Sequence, residues 1–476
     1  MQTTGEIVAP VLVIGGGPVG LLGAQLLGCR KIRTLVAEKH ASRLDDPKAH
    51  ALNPRSLEIC NAAGLPMDQI HAASTPRGEG GFVRMVTTLA GREIGVLPYE
   101  RQDDAVRELT PWPLINIQQP KFEAILEQAA SRLPEVKIRR ELEWVNCEQT
   151  QDSILSTLVD RKTGGNVTVR SRYLVAADGA RSTVRDAIGI GMDGPADVAE
   201  NLMIHFEADL RQVVGARPAI LYFLFGPGPG GVLIAYDISR TWVFMYPYRP
   251  DQTPRESFDQ AVCRKLVLAA IGAPVDGVRI KSVRPWSMSA QVASHYREGA
   301  VFLAGDAAHR FPPTGGLGLN TGIADIDNLA WKIAAVLNGW ATPGILDSYE
   351  SERREIAQTN MLQSLSNAQR MLKLGEALGQ GAGQSVDSAT FEARISDPAS
   401  RAKVDAAVAA QREHFDSLRL QLGYVYGGSQ KGDADVSISA FEPKAIAGAR
   451  LPHVALRGGR SVLDLVNLDG LTLISG

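Results

Sequence analysis

Cysteine is scarce in this sequence, and neither sign of charge is in excess. The 476 residues include four cysteines that form no CxxC pair: Cys29, Cys60, Cys147 and Cys263. Their wide spacing argues against a disulfide framework and a zinc ribbon, and it favours a reducing cytoplasm. The 50 basic and 52 acidic side chains give a formal charge of -2, without a basic run. The chain therefore lacks the electrostatic pattern of a nucleic-acid-binding protein.

An uninterrupted apolar run is missing as well, so we predict no membrane span. The uncharged residues 7–29 are numerous enough to imitate a span or a signal peptide, but six glycines and Pro18 interrupt them. The histidines do not pair with carboxylates or cysteines at i,i+4 spacing, so the sequence gives little support for a metal site. The length exceeds the usual size of one hydrophobic core, so two or more domains are expected.

The uncharged stretch reads as the start of a βαβ unit. PVLVIG (10–15) predicts a buried parallel strand, a helix should begin near Pro18, and RTLVAE (33–38) predicts the next strand. Strand-like segments with Gly/Pro turns follow over 201–287, and they predict a mixed or antiparallel sheet. Residues 352–420 have a helical pattern, and short strands and turns are expected from residue 445 onward.

A glycine motif lies at the first strand-to-helix turn. Gly15, Gly17 and Gly20 form GxGxxG, in which bare backbone can approach a pyrophosphate at a helix N-terminus. Glu38, at the end of the next strand, can accept hydrogen bonds from ribose hydroxyls. This arrangement predicts a dinucleotide site; a purely structural glycine turn is the alternative.

Two later segments make the dinucleotide more specific. LVAADGARSTVR carries Asp178-Gly179, and VFLAGDAAHRFPPTGGLGLNTG carries Gly305-Asp306. These residues resemble the DG and GD motifs of the single-component FAD-dependent aromatic hydroxylases, a family that includes p-hydroxybenzoate and phenol hydroxylases. The resemblance extends over residues 8–360 and is closest to the chlorophenol and aromatic polyketide hydroxylases.

The resemblance implies an α/β fold. The expected parts are a Rossmann-like FAD-binding domain of the GR2 type, an inserted mixed β-sheet substrate domain and a partial thioredoxin-like C-terminal segment. The FAD-binding domain would be discontinuous, and residues 446–476 would begin a C-terminal domain that is apparently truncated. The expected boundaries are 1–70, 105–190 and 290–370 for the FAD-binding domain, 71–104 and 191–289 for the substrate domain, and 371–445 for a helical connection.

The resemblance also assigns cofactor contacts. Asp306 would bind the ribitol of FAD, and the region of Asp178 and Gly179 would bind NADPH or NADH transiently. Glycines and prolines after Asp306 let backbone N–H groups approach a ring at a helix N-terminus. The residues expected there are Pro313, Gly316, Gly318, Leu319 and Asn320.

Two polar residues in other segments match positions that contact the cofactor in this family. Gln119 resembles the glutamine ahead of a helix that touches FAD, although a glutamine that merely caps a helix would look the same. Lys48 stands where the family has an arginine that contacts FAD. Lysine keeps the charge but loses the bidentate fork, so affinity or loop mobility would differ.

Two residues are candidates for the chemistry on the substrate. His50 resembles a substrate-facing position of the phenol and chlorophenol hydroxylases, where it would accept the phenol proton. A hydrogen-bonded structural histidine is the alternative. Tyr222 is a candidate pocket hydroxyl, although strand alternation makes core packing equally compatible with its position.

The implied function is hydroxylation of a phenolic or polyketide-type aromatic by an FAD-dependent monooxygenase, with NAD(P)H and O2, through a flavin C4a-hydroperoxide. A homodimer is a further expectation. The alternatives are another flavin-dependent oxidase or halogenase, or a non-catalytic flavoprotein-derived subunit. Absence of a GWxWxIP motif speaks against a halogenase.

Overall fold

A computed structural model of the chain describes residues 6–43, 46, 48–101, 103–380, 386–427, 437–468 and 470–474. Its strands, numbered in chain order, are β1 Ile7–Val8, β2 Val11–Ile14, β3 Thr34–Glu38, β4 Ala51–Leu52, β5 Phe82–Val86, β6 Glu93–Pro98, β7 Ile115–Asn116, β8 Val136–Arg140, β9 Leu142–Gln149, β10 Ile154–Asp160, β11 Asn166–Ser171, β12 Tyr173–Ala176, β13 Met192–Asp193, β14 Ala199–Glu207, β15 Leu221–Leu224, β16 Gly231–Asp237, β17 Thr241–Pro247, β18 Arg279–Met288, β19 Gln291–Ala293, β20 Arg297–Glu298, β21 Val301–Leu303 and β22 His309–Arg310.

The helices are numbered in the same way. They are α1 Pro18–Cys29, α2 Pro54–Ala62, α3 Met67–Ala73, α4 Arg77–Gly80, α5 Gln119–Ala130, α6 Thr183–Ala187, α7 Arg211–Val214, α8 Gln260–Ile271, α9 Leu317–Leu337, α10 Ser348–Ala377, α11 Ser388–Ser396, α12 Pro398–Ala409, α13 Arg412–Phe415 and α14 Leu418–Leu422. Short 3₁₀ turns occupy Asp104–Glu108, Arg255–Ser257, Gly305–Ala307, Pro343–Asp347 and Val462–Leu465.

A mostly parallel sheet carries the glycine-rich turn. Its strand order is β20-β21-β12-β2-β3-β8, with β20 antiparallel at one edge. Every residue of β2 (VLVI) and β12 (YLVA) is buried, as expected for parallel strands covered on both faces. Helices α1 and α9 pack closely, because a Cβ on Gly23 would lie 2.6 Å from Cγ1 of Ile326. The predicted βαβ opening is confirmed.

A mixed sheet has the strand order β18-β14-β17-β16-β15-β5-β6. Its neighbours are antiparallel except for β15 and β5, which are parallel. It therefore joins strands from two separate stretches, 82–98 and 199–288. Alternate side chains face opposite sides of the sheet. One side packs against α8; the other packs against α10 to α13 and β4.

The C-terminal residues differ from the expected short strands. Where residues 446–474 are described, they contain one 3₁₀ turn and isolated bridges rather than strands. The segment instead docks through the Arg450 guanidinium, whose Nε lies 2.8 Å from Oε2 of Glu58 on α2. Both side chains are buried, so side-chain contacts rather than a strand ladder hold this segment. The domain boundaries and the thioredoxin-like assignment stay predictions.

Candidate active site

The glycine-rich turn has the geometry that its sequence predicts. Gly15 has φ +108°, and a Cβ there would lie 2.2 Å from the carbonyl oxygen of Ala177. A Cβ on Gly20 would lie 2.1 Å from the carbonyl oxygen of Gly15, so the first turn of α1 must approach the strand closely. A Cβ on Gly17, the N-cap of α1, would meet nothing within 4 Å. Two glycines thus shape the turn, and the third leaves open space at the positive helix end.

Glu38 lies at the end of β3, beside this turn. Its Oε2 accepts a hydrogen bond of 2.7 Å from the Gly16 N–H, and its Oε1 accepts one of 2.8 Å from the His40 N–H. The carboxylate is therefore fixed next to the glycine turn by backbone donors. A carboxylate oxygen has more than one lone pair, so hydroxyl donors can still reach it.

The GD turn presents an exposed carboxylate. Gly305 has φ +61°, and a Cβ there would lie 2.9 Å from Cγ2 of Val19 on α1. The next residue, Asp306, is exposed, and among the described residues it has no side-chain hydrogen bond or ion pair. The family resemblance predicts that this carboxylate binds the ribitol of FAD. Its exposed position leaves its acceptor capacity for a ligand.

The DG turn ends the neighbouring strand β12. Oδ2 of Asp178 accepts a hydrogen bond of 3.2 Å from the Val184 N–H at the start of α6, while its Oδ1 is buried without a partner among the described residues. Gly179 has φ +87° and open space at its Cβ position. The turn is therefore held by one carboxylate oxygen, while the other is buried and has no donor among the described residues.

The N-terminus of α9 lies beside the segment that carries His50. Gly316, its N-cap, has φ +63°, and a Cβ there would lie 3.3 Å from Cβ of Ala51 and 3.4 Å from Oη of Tyr99. Pro313 is exposed and accepts a hydrogen bond of 3.1 Å from the Gly316 N–H. A Cβ on Gly318 would meet nothing within 4 Å. The first turn of α9 therefore combines a sharp entry with open backbone.

Leu319 and Asn320 differ in their roles at this turn. Leu319 is half-buried and packs on the core of the parallel sheet. The buried Asn320 side chain donates to the carbonyl oxygens of Ala51 and Gly316 at 3.0 and 2.7 Å. Its Oδ1 accepts from the Asn53 N–H at 2.9 Å. Any contact of Asn320 with a cofactor must therefore come from its backbone, because the side chain ties α9 to the β4 segment.

Lys48 lies in the loop before β4, and Gln119, the first residue of α5, contacts that loop. Oε1 of Gln119 accepts a hydrogen bond of 3.2 Å from the Ala49 N–H, and its Nε2 donates to Glu123 at 2.7 Å. Burial raises the pKa of Glu123, while Gln119 and the positive charge of Lys48 act in the opposite direction. Lys48 itself is exposed. Gln119 therefore orients the loop, and the Lys48 ammonium is available to an anion.

His50 lies in a polar pocket between two tyrosines. Its Nδ1 is 2.8 Å from Oδ1 of Asn116, and its ring centroid is 5.9 Å from those of both Tyr99 and Tyr236. Tyr236 donates from its hydroxyl to the Lys48 carbonyl oxygen at 2.7 Å. Burial lowers the pKa of His50, and the hydrogen bond with Asn116 opposes part of that shift. The imidazole is therefore neutral at pH 7.

Tyr222 lies on the side of the mixed sheet that packs against α8, away from His50. Its ring is 1% exposed and packs 6.2 Å from Trp242 in the core beneath α8. Its hydroxyl donates to the carbonyl oxygen of Arg217 at 2.9 Å. The prediction of a pocket hydroxyl was wrong, because strand alternation directs this side chain to the opposite face of the mixed sheet. Tyr99 and Tyr236 occupy the pocket instead.

A cavity next to the α9 N-terminus holds a buried acid that the sequence did not indicate. It is lined in part by Tyr99, Glu100, Gly316, His414 and Gln421. Glu100 is 3% exposed, and its Oε1 has no hydrogen-bond partner among the described residues. Burial, reinforced by the charge of Asp416, raises the pKa of Glu100 from 4.5 to about 8. Glu100 is therefore mostly protonated at neutral pH.

A network of buried polar side chains supports the GD turn. Asp325 on α9 accepts hydrogen bonds of 2.8 Å from Nε of Arg353 and 3.3 Å from the Gly305 N–H. Its Oδ2 also lies 2.8 Å from Nε2 of His309. All three side chains are buried. His309 is thus part of the fold, and burial of the Asp325 carboxylate is compensated by its donors.

These features fit FAD. Open backbone at Gly17 and Gly318, the exposed Asp306 carboxylate and the free charge of Lys48 are complementary to phosphates, a polyol and a polar ring edge. Over the residues described, no group of three or more His, Cys, Asp or Glu side chains is arranged to hold a metal. No described helix is long and apolar enough to cross a membrane.

Comparison with known proteins identifies the family. The FAD binding domain family matches residues 8–364. The chain belongs to this family. Its relatives in the FAD binding domain family include a protein of Streptomyces halstedii, provisionally named a polyketide hydroxylase, with 33% identity over 96% of this chain and 79% of the relative. The 2,4-dichlorophenol 6-monooxygenase of Cupriavidus pinatubonensis is 32% identical over 98% and 82%.

Solved structures agree with this membership. The flavin-dependent monooxygenase PieE, solved with FAD and substrate, superimposes with a TM-score of 0.90 at 32% identity and covers 97% of this chain and 84% of its own. This member of the FAD binding domain family is therefore an FAD-dependent aromatic hydroxylase, an oxidoreductase of the monooxygenase type. The expected fold class and cofactor are confirmed; the roles of individual residues stay predictions.

Proposed function

We propose that this hydroxylase acts on an uncharged, extended aromatic phenol of the polyketide type, with His50 as the base that accepts the phenol proton. The observation that carries the proposal is the place of His50, one residue before Ala51. The Ala51 carbonyl oxygen accepts a hydrogen bond from Asn320 on α9, and its Cβ lies next to Gly316. His50 is thereby fixed close to the helix end at which the flavin ring is expected.

The mixed sheet supports the choice of substrate. Its face toward the β4 segment carries large apolar side chains that are only partly buried: Phe223, Val232, Ile234 and Met245. Arg84 pairs with Tyr222 across β5 and β15, so it belongs to the opposite face. This surface is suited to a flat apolar ring system. Arg284 lies on the same face, opposite Met203, but its guanidinium pairs with Asp46, so its charge is already balanced within the protein.

The proposed roles around the cofactor follow from the same contacts. Gly15, Gly17, Gly20 and Lys48 would hold the phosphates, Glu38 the adenosine ribose, and Asp306 the ribitol. Gly318, Leu319 and Asn320 would approach the ring edge through backbone N–H groups, with Pro313 and Gly316 shaping the turn. Gln119 would orient the Lys48 loop. When bound, FAD would accept a hydride from the nicotinamide and activate O2.

The protein residues manage the substrate proton. Because burial lowers the pKa of His50, its imidazole is neutral and can accept a proton at neutral pH. Removing the phenol proton makes the ring more electron-rich, which favours attack on an electrophilic oxygen. The apolar sheet face excludes water from the reacting groups. Asp178 and Gly179 are proposed to contact NADPH or NADH transiently, at a turn with an unpartnered carboxylate oxygen.

The test compares wild type with His50→Ala on three substrate groups: neutral polycyclic phenols, monocyclic phenols and hydroxybenzoates. We expect wild type to prefer the polycyclic phenols, and His50→Ala to retain FAD but hydroxylate about 10²-fold more slowly, as loss of a general base predicts. His295→Gln, an exposed histidine, is the matched control. Equal rates for wild type and His50→Ala would reject His50 as the base. Preference for hydroxybenzoates would reject the substrate class.

Two further expectations remain proposals. A cytoplasmic location is supported by the four cysteines, none of which forms a disulfide in the described part of the chain. A homodimer stays an expectation, and sedimentation of the purified protein at several concentrations would test it. A concentration-independent monomer would reject the homodimer.

A further inference from the structure

The partner of His50 is Asn116, the last residue of β7. Asn116 is 5% exposed, and β7 pairs with β4 in a two-stranded sheet, with Ala51 opposite Asn116. The sheet also gives a hydrogen bond of 2.7 Å from the Ile117 N–H to the His50 carbonyl oxygen. Backbone pairing on both sides therefore fixes where the amide of Asn116 and the ring of His50 meet.

The orientation of the Asn116 amide follows from a second contact. Its Nδ2 lies 3.1 Å from the carbonyl oxygen of Gly80, at the end of α4. A carbonyl oxygen only accepts hydrogen bonds, so the NH2 group must face Gly80. Rotating the amide by half a turn would place two acceptor oxygens 3.1 Å apart. The oxygen of Asn116 is therefore the atom that faces His50.

This orientation determines the tautomer of the imidazole. An amide oxygen cannot donate, so Nδ1 of His50, 2.8 Å away, must carry a proton and donate it. In a neutral imidazole the other nitrogen is then the acceptor. We infer that Asn116 is a positioning residue that holds His50 in the Nδ1–H tautomer, so that Nε2 is the atom that receives the substrate proton. The inference rests on the proposed role of His50 as base.

Among the described residues that contact the His50 ring, none carries a charge that would do this instead. The titratable side chains that face its ring are Tyr99 and Tyr236, and burial raises the pKa of both well above their usual range. Both stay neutral. Within the described chain, burial and Asn116 are the influences on the pKa of His50. A neutral amide therefore sets the tautomer without stabilising the imidazolium as strongly as a carboxylate would.

The direct test is the nitrogen spectrum of the ¹⁵N-histidine-labelled protein, with His50 assigned among the eight histidines by its loss in His50→Ala. We expect a neutral imidazole with the proton on Nδ1 and a lone pair on Nε2 in wild type. Asn116→Leu should abolish this preference. A wild-type spectrum with the proton on Nε2 would overturn the inference, whatever the activity of the enzyme.

The second test is the pH profile of hydroxylation in Asn116→Asp and Asn116→Leu. Asn116→Asp should move the acidic limb of kcat/KM upward by about one pH unit or more, because a carboxylate favours the imidazolium. Asn116→Leu should lower kcat about tenfold without that upward shift, because the ring loses its fixed tautomer. Asn146→Asp, on the exposed part of β9, controls for the added charge. An acidic limb that is unchanged in Asn116→Asp would refute the positioning role.

The two proposals fail in different ways. If His50→Ala hydroxylates like wild type, His50 is not the base, and the nitrogen spectrum still decides whether Asn116 fixes the tautomer. If His50→Ala is slow but the Asn116 variants keep the wild-type spectrum and pH profile, His50 remains the base and Asn116 is only part of the fold.

Discussion

Replacing Asp306 by alanine should separate cofactor binding from folding. The Asp306 carboxylate is exposed and has no side-chain hydrogen bond or ion pair to the described protein, so its loss removes no contact within the fold. Surface changes of this kind alter the free energy of unfolding by about 0.5 kcal/mol or less. The melting temperature of the apoprotein should therefore match that of wild type.

Binding of FAD should respond very differently. A hydrogen bond to a charged acceptor contributes about 1.5 to 3 kcal/mol. If Asp306 accepts one from the ribitol, its loss corresponds to a rise of about 10- to 150-fold in the dissociation constant of FAD. Titration of apoprotein with FAD, followed by flavin fluorescence, measures this change. Asp251→Ala, at an exposed loop position, is the matched control.

Two results would refute this reasoning. Unchanged FAD affinity in Asp306→Ala would show that the carboxylate does not contact the cofactor. A marked loss of apoprotein stability would show that Asp306 has a role in the fold that its exposed position does not account for. Loss of affinity with unchanged melting is the expected combination.

Three further predictions use the same separation of fold and function. Gly15→Ala should lower the free energy of unfolding of the apoprotein by about 3 kcal/mol or more, because φ is +108° and the new Cβ would lie 2.2 Å from the Ala177 carbonyl oxygen. Gly17→Ala places its Cβ in open space, so this variant should melt like wild type but bind FAD more weakly. Glu100→Gln should flatten the pH dependence of stability. Because burial raises the pKa of Glu100 to about 8, wild type should lose a few kcal/mol as pH rises from about 4.5 to 8, and the variant should not; parallel curves would contradict this. Tyr222→Phe should cost about 1 kcal/mol of stability and leave hydroxylation unchanged, whereas a large loss of kcat at normal stability would restore its predicted role.

Local motifs made the cofactor site predictable from the sequence. Gly15, Gly17 and Gly20 lie between a buried strand and a helix, so the residues that identify this turn all fall within a short stretch of the sequence, although Gly15 also packs against Ala177. The same holds for Gly305 and Asp306, because the strand, the positive φ and the exposed carboxylate occur within a few residues. Contacts of short sequence separation leave their pattern in the sequence, so these turns could be predicted without knowledge of the tertiary structure.

Long-range pairing made the substrate side less predictable. His50 could be identified by resemblance, but its partner Asn116 comes from a strand 66 residues away, and no local pattern connects them. The prediction for Tyr222 was wrong for a different reason. Alternation along β15 shows that neighbouring residues face opposite sides, but only the packing of α8 decides which side is the core. Glu100 gave no signal, since its raised pKa arises from tertiary burial.

Labelled oxygen offers the most direct measurement of aromatic hydroxylation by this chain. The protein, reconstituted with FAD, is supplied with NADPH or NADH, a neutral polycyclic phenol and ¹⁸O2, and the product is analysed by mass spectrometry. We predict a hydroxylated aromatic that contains one ¹⁸O atom, with nicotinamide oxidation that depends on the phenol. Nicotinamide oxidation that yields only hydrogen peroxide, with no labelled aromatic product from any phenol tested, would contradict the assignment as an aromatic hydroxylase.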